Sequence, residues 1–287
     1  MSAVFQHELK NYFRSLSAYV FGAFLLIFTG IGALMYNINA AVSNFEYVLD
    51  FCSIVFAVIV PILTMRVIAE ERKQKTDKLL YSLPVTTTQV VLGKYGALMV
   101  VFTVPVCIIA LYPLIFSKFG DVYLLTAYGS MAAFYLMGAG LMALGVFISS
   151  LTENQGIAAG IGIAAILFNY FSVTLSEYVS STSMGSMIAF CVLILLIAVI
   201  IKLLTKNDYV AYGTGLVLAL ALLTVWLIDS TLLEGLLPEI MTALSLFKRF
   251  TVFVNGVFDM TGIVYFLSVI VFFLFLSVQS LEKRRYN

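Results

Sequence analysis

Charge is what this chain has least of. Only 11% of its 287 residues are Asp, Glu, Lys or Arg, while 62% are hydrophobic and the mean hydropathy is +1.06. A soluble globular protein carries charge on about a quarter of its residues, so that class is excluded and an integral membrane protein is expected. Histidine is reduced to His7, and cysteine to Cys52, Cys107 and Cys191 in separate apolar stretches. Neither a disulfide framework nor a metal site can be assembled from that set, and the cysteines read as small buried hydrophobes. The net charge of +1 leaves no basic surface for nucleic acid beyond the loops that flank the apolar runs. Residues 1–17 precede the first apolar core and no A-x-A site closely follows it, so that segment reads as a retained span rather than a cleaved leader.

Chemistry-bearing motifs are absent as well. No G-x-x-x-x-G-K-[ST] phosphate loop occurs; Gly93-Lys94 is followed by Tyr95 and lacks the upstream glycine. No H-E-x-x-H or G-x-S-x-G is present, and Glu70-Glu71 has no histidine in any span to complete a site. No catalytic, cofactor-binding or metal-binding residue is expected, and the chain is not read as an enzyme by itself. The span centres hold no ionisable residue, which argues against a proton- or ion-coupled carrier.

What is there is a series of apolar windows near 18–36, 51–69, 96–116, 126–149, 155–174, 186–204, 209–228 and 260–279. Each is close to the roughly 20 residues a helix needs to cross a bilayer. They are continuous rather than alternating, so helices are expected and a β-barrel is not. Eight spans put both termini on one side. Of the 16 Lys/Arg, all but Lys118, Lys248 and Arg249 then share that side, which identifies it as cytoplasmic. The expectation is an all-α polytopic bundle forming one transmembrane domain over residues 1–287.

Three segments outside the spans are shaped. Residues 1–17 form an interfacial helix with Phe5, Leu9, Tyr12, Phe13 and Leu16 on one face and Gln6, Glu8, Lys10 and Arg14 largely opposite. His7 belongs at the headgroup level. Residues 70–92 form a cytoplasmic loop within a basic connector, residues 66–94, holding Arg66, Arg72, Lys73, Lys75, Lys78 and Lys94. Within it Thr76, Leu79, Leu80 and Leu83 fall at i, i+3, i+4 and i+7, Pro84 stops the run, and Thr86 with Gln89 has capping-box spacing. Residues 229–259 are semi-apolar; Leu236, Leu237, Leu244, Phe247, Phe250 and Phe253 suggest amphipathic turns on the outer surface.

Small residues mark close helix crossings: Gly156-x-x-x-Gly160 with Ala159 and Gly162 in the fifth span, and Gly138, Gly140 and Gly145 in the fourth. The spacing does not separate packing within one chain from a subunit seam. Asn169, Tyr170, Ser172 and Thr174, at the outer end of the fifth span, fit either a polar translocation path or bonds inside the bundle.

Four stretches together resemble the permease subunits of type-2 ABC exporters, in the branch that includes gliding-motility and nitrous-oxide-reductase-associated permeases. They are HELKNYFRSLSAYVF, EERKQKTDKLLYSLPVTTTQVVLGKY, GVFISSLTENQGIAAGIG and LSLFKRFTVFVNGVFDMTGIVYFLSVIVFFLFLSVQSLEKRR. The chain departs from the pattern at Leu16-Ser17, where Ser-Pro is common, at Lys75, where glycine is frequent, and at Asp77, where Glu is common. Residues about 180–235 have no equivalent in many relatives and read as a helical pair added to a six-span base.

The resemblance implies a bacterial cytoplasmic-membrane permease that pairs with a second permease chain, identical or not. Two separate ATPase subunits bind ATP and Mg beneath it, and accessory membrane or extracytoplasmic subunits are compatible with the assembly. It assigns ATPase coupling to Glu70, Glu71, Arg72, Thr76, Asp77, Leu79, Leu80, Tyr81 and Leu83. It places Gly156 and Gly160 at the dimer seam. An importer or channel-like permease, and a non-transporting scaffold, immunity or assembly factor, remain open alternatives.

The topology is directly checkable. A single cysteine at Lys75 and a reporter fused at Asn287 are expected to be reached only from the cytoplasmic side. Labelling of Lys206 from outside would instead show that residues 186–228 do not cross.

Overall fold

The computed structural model describes residues 2–76, 85–179, 181–205 and 208–286. All regular elements among them are helical. The chain divides into two compact units, Met1–Tyr170 with Arg249–Asn287, and Phe171–Lys248.

In the larger unit the amphipathic α1 (Ser2–Arg14) ends at Ser15, whose extended backbone (φ −88°, ψ 155°) turns the chain into α2 (Leu16–Gly32). A π-helical run, Ala33–Asn39, prolongs α2. The second apolar window is a broken rod: α3 (Glu46–Ser53), α4 (Phe56–Thr64) and α5 (Ala69–Gln74), with a 57° bend between Glu46–Ser53 and Phe56–Gln74. Then follow α6 (Thr87–Ile109), α7 (Leu111–Phe116), α8 (Leu124–Leu151) and α9 (Gln155–Tyr178), whose residues from Phe171 on belong to the smaller unit. Near the carboxyl end come α13 (Leu246–Val254) and α14 (Met260–Tyr286).

The centre of this unit is α8. Buried residues make up 72% of its most apolar window, against 22–39% for the other long helices. It is apolar all round, as a helix enclosed by its neighbours must be. Without a hydrophobic drive between helices in lipid, close approach has to come from shape, and glycines supply it. A methyl group at Gly138 would meet the Phe102 ring at 2.5 Å and Phe56 at 3.3 Å, while one at Gly145 would overlap Thr64. The space left at Gly138 is filled by aromatic rings: Phe56 lies 4.7 Å from Phe134, and Phe102 stacks on Tyr135 at 5.2 Å. Phe250 joins at 5.9 Å from Phe134. Offset and tilted pairs at such distances add to plain area burial.

The break between α4 and α5 exposes backbone groups that a membrane interior cannot hydrate. Ser149 on α8, fully buried, resolves this. Its Oγ accepts from the Ile68 and Ala69 amides and donates to the Met65 carbonyl, each at 3.1 Å.

In the smaller unit α10 (Ser183–Thr205) packs along α11 (Asp208–Ile228), with Gly215 against Ala198. The Trp226 indole N–H donates to Ser183 Oγ at 3.1 Å. A 3-10 turn, Ser230–Leu233, leads to α12 (Leu236–Ala243) through Gly235, whose φ of +69° favours glycine.

Five helices among the described residues are long and apolar enough to cross a membrane, or up to seven if each bent pair counts as one span. The expected eight exceed the five at three places, of which the bent second window is the first. The described apolar stretch of α10, Ser183–Leu195, is shorter than a span, and α11 pairs with the next segment across a 119° bend. Within the expected outer segment Leu237, Phe247, Phe250 and Phe253 are buried, whereas Leu244 is exposed.

Gly138→Ala should lower stability by about 1–3 kcal/mol, because the Phe102 ring has no room to retreat. Gly22→Ala, with no atom within 4 Å of the added methyl, should leave stability unchanged or raised. Thermal unfolding of both variants in detergent tests the contrast.

Candidate functional site

The basic connector and the amphipathic helix meet at one ammonium group. Lys94 is two turns into α6 and only 1% exposed. Its Nζ donates to Glu8 Oε1 of α1 and to Glu71 Oε1 of α5, both at 2.7 Å. A lone buried lysine would be expensive, so two charge-assisted bonds at this length are what hold the charge inside. Three elements from distant stretches of sequence are thereby joined at one point. Gly96, a half-turn on, leaves room for the Phe5 ring, 3.4 Å from where a Cβ would sit, so α1 lies close along α6. Tyr12 is buried beside the triad. Burial, with Glu8, Glu70 and Glu71 adding, pushes its phenol far above the ordinary value and keeps it neutral.

Within α1, Glu8 departs from the face on which it was expected. Glu8 turns inward onto Lys94, and the covered face runs through Phe5, Leu9 and Tyr12. Phe13 and Leu16, expected on that face, are exposed, and Phe13 packs edge-on against Tyr19.

The end of α5 is sharply defined. Lys75 adopts the left-handed conformation (φ 57°, ψ 20°), its amide donates to the Arg72 carbonyl at 3.1 Å, and the Thr76 amide donates to the Glu71 carbonyl at 3.0 Å. These are the two bonds of a Schellman motif, usually closed by glycine. Thr76 thus lies in the turn that ends α5. Of the other residues expected to act in coupling, Glu71 is in the triad, Arg72 is buried, and Glu70 accepts from Gln74 at 3.3 Å. Asp77, Leu79, Leu80, Tyr81 and Leu83 lie outside the described residues. On the far side the capping box forms as its spacing predicts: Gln89 N donates to Thr86 Oγ1 at 3.3 Å and Thr86 N to Gln89 Oε1 at 3.4 Å.

The carboxyl-terminal helix closes the same end of the bundle. Thr87 Oγ1 donates to Glu282 at 2.8 Å, Ser280 Oγ to the Ser150 carbonyl at 3.1 Å, and Arg284 Nη2 meets Glu153 at 2.5 Å. The bond and charge of Arg284, then the charges of Arg72 and Lys75, hold the Glu153 carboxyl below its ordinary range.

The glycine pair sits differently from its neighbour. Gly156 and Gly160 are exposed, and a methyl group at Gly160 would touch nothing within 4 Å. A methyl group at Gly162 would instead lie 3.0 Å from the Pro61 ring, so α9 approaches α4 closely at that point. Among the polar residues near the end of α9, Ser172 is buried and Thr174 exposed, with Asn169 and Tyr170 between. At 100° per residue they divide into two faces, Asn169 with Ser172 and Tyr170 with Thr174.

No protein-family model matches the chain, and no curated protein matches it.

Replacing Lys94 with Met would leave two carboxylates facing each other without their cation. A loss on the order of 3 kcal/mol is expected, and the triple variant Glu8→Gln, Glu71→Gln, Lys94→Met should recover part of it. Thermal unfolding in detergent reads both.

Proposed function

We propose that this chain is the membrane-spanning permease subunit of an ATP-driven exporter of the bacterial cytoplasmic membrane. It has eight spans with both termini cytoplasmic, pairs with a second permease chain, and is moved by separate ATPase subunits docked on residues 70–92. The four-segment resemblance supplies the family. One observation carries the mechanism: the connector leaves from α5 and returns into α6, and the Lys94 ammonium ties those two helices to each other and to α1. A force applied to the connector is then delivered to a rigid node, not dissipated in a loose loop.

The remaining geometry suits the same reading. Ser149 anchors the α4–α5 break to the central helix α8, so displacement of α5 bears directly on the bundle core. The uncovered Gly156 and Gly160 leave a flat strip on α9 against which a second helix can lie closely. In this mechanism Leu79, Leu80 and Tyr81 bury against the ATPase while Glu70, Glu71 and Arg72 orient the loop. Export proceeds along a path between the two permease chains, to which Tyr170 and Thr174, on the face of Gly156 and Gly160, contribute, while Asn169 and Ser172 on the other face bond within the bundle.

Leu79→Asp with Leu80→Asp places two unpaired charges in that contact, at a cost of several kcal/mol. The ATPase should then be lost from detergent pull-downs of the double variant, and stimulated ATP hydrolysis should fall with it. Retention of both would overturn the coupling role. Normal cellular function with a hydrolysis-dead ATPase partner would point to a scaffold instead.

A further inference from the structure

Beside the Lys94 triad lies a cavity of about 990 Å³ between α1 and the α4–α5 segment. It is of the size that holds a sizeable small molecule. Its wall is two-sided in character: Val4 and Val67 are apolar, while His7, Asn11, Ser15 and Ser17 are polar. Glu8, Glu71 and Lys94 also line it: the two carboxylates share one ammonium and keep a net charge of −1, and Glu70, which accepts from the neutral Gln74 amide, keeps its own charge.

Two cations remain. Arg14, in the last turn of α1, and Arg66, at the α4–α5 break, both line the cavity and are exposed. Neither forms an ion pair with a described residue. They come from different elements and border one space. Guanidinium groups so placed match the oxygens of a phosphodiester, which they bind through paired N–H donors.

Position selects the occupant. The cavity opens at the corner where the amphipathic α1 turns into the apolar α2. Phe13, Leu16 and Tyr19, immediately around that corner, are exposed. The Tyr19 hydroxyl donates to the Phe13 carbonyl at 3.0 Å, so this apolar shelf is fixed. A ligand with a phosphate at the arginines and hydrocarbon along the shelf is a phospholipid. We propose that the cavity holds the headgroup phosphodiester of one phospholipid from the leaflet that α1 borders, gripped by Arg14 and Arg66. This site stands apart from the transport reading and would hold whatever the chain moves. The lipid bridges α1 and the α4–α5 break on one side, as Lys94 bridges α1 and α5 on the other.

The test is native mass spectrometry of the full chain in detergent, titrated with phosphatidylglycerol. One tightly retained lipid is expected on the wild type. Loss of two charge-assisted contacts in Arg14→Gln/Arg66→Gln should weaken retention at least about tenfold. Asn11→Trp, which fills the cavity while leaving both arginines, should do the same, and serves if the double variant fails to fold. Lys10→Gln, on α1 but outside the cavity, should change nothing. Equal retention by wild type and both cavity variants would overturn the proposal. So would an equal loss in Lys10→Gln, which would mean diffuse attraction. Complete displacement by millimolar inorganic phosphate would mark a free-anion site, and lipid absent from a dimer peak would show that a second copy covers the cavity. Either result would also refute a lipid.

Discussion

A lysine ammonium taken almost wholly out of water must be neutralised on the spot, and at Lys94 the two carboxylates that do so arrive from separate parts of the chain. Satisfying that demand fixes the pose of α1 along α6, the rotation of Glu8 away from solvent, and the height at which α5 ends. The connector then inherits its two anchor points. Desolvation makes such a node poor as a source of net stability but strict about geometry, since any displacement strands a charge.

The interior above it follows a different rule. Around α8, backbone proximity is set by missing side chains at Gly138 and Gly145, and the rings of Phe56, Phe102 and Phe134 occupy the room so made. Ser149 is the hinge between the two regimes. One hydroxyl answers two amides and a carbonyl at the α4–α5 break, and thereby lets a helix change direction in a setting where unmet backbone groups are costly.

Long apolar windows and the Thr86/Gln89 cap were legible in residue order because each depends on neighbours a few positions away. The triad was not. Glu8 reads as polar face by its periodicity, and Lys94 reads as one more cation of the basic connector, until folding brings α1 against α6. The one available signal was the depth of Lys94 inside an apolar helix, where an unpaired cation has no reason to be. Ser149 gave no sign at all, since a serine at a helix end has many local uses. The break in the second window was hidden because hydropathy averages over a bend.

Lys75 has a mechanical consequence. A left-handed backbone costs a residue with a Cβ about 1 kcal/mol or more, which glycine would not feel, and the Schellman bonds at Lys75 and Thr76 hold the chain there. The joint at the end of α5 is therefore closed less firmly than glycine would close it. Freeing those two bonds lets Lys75 relax to the right-handed region, which offsets part of what the bonds contribute. Glycine in its place would hold the same turn shut by about 1 kcal/mol more.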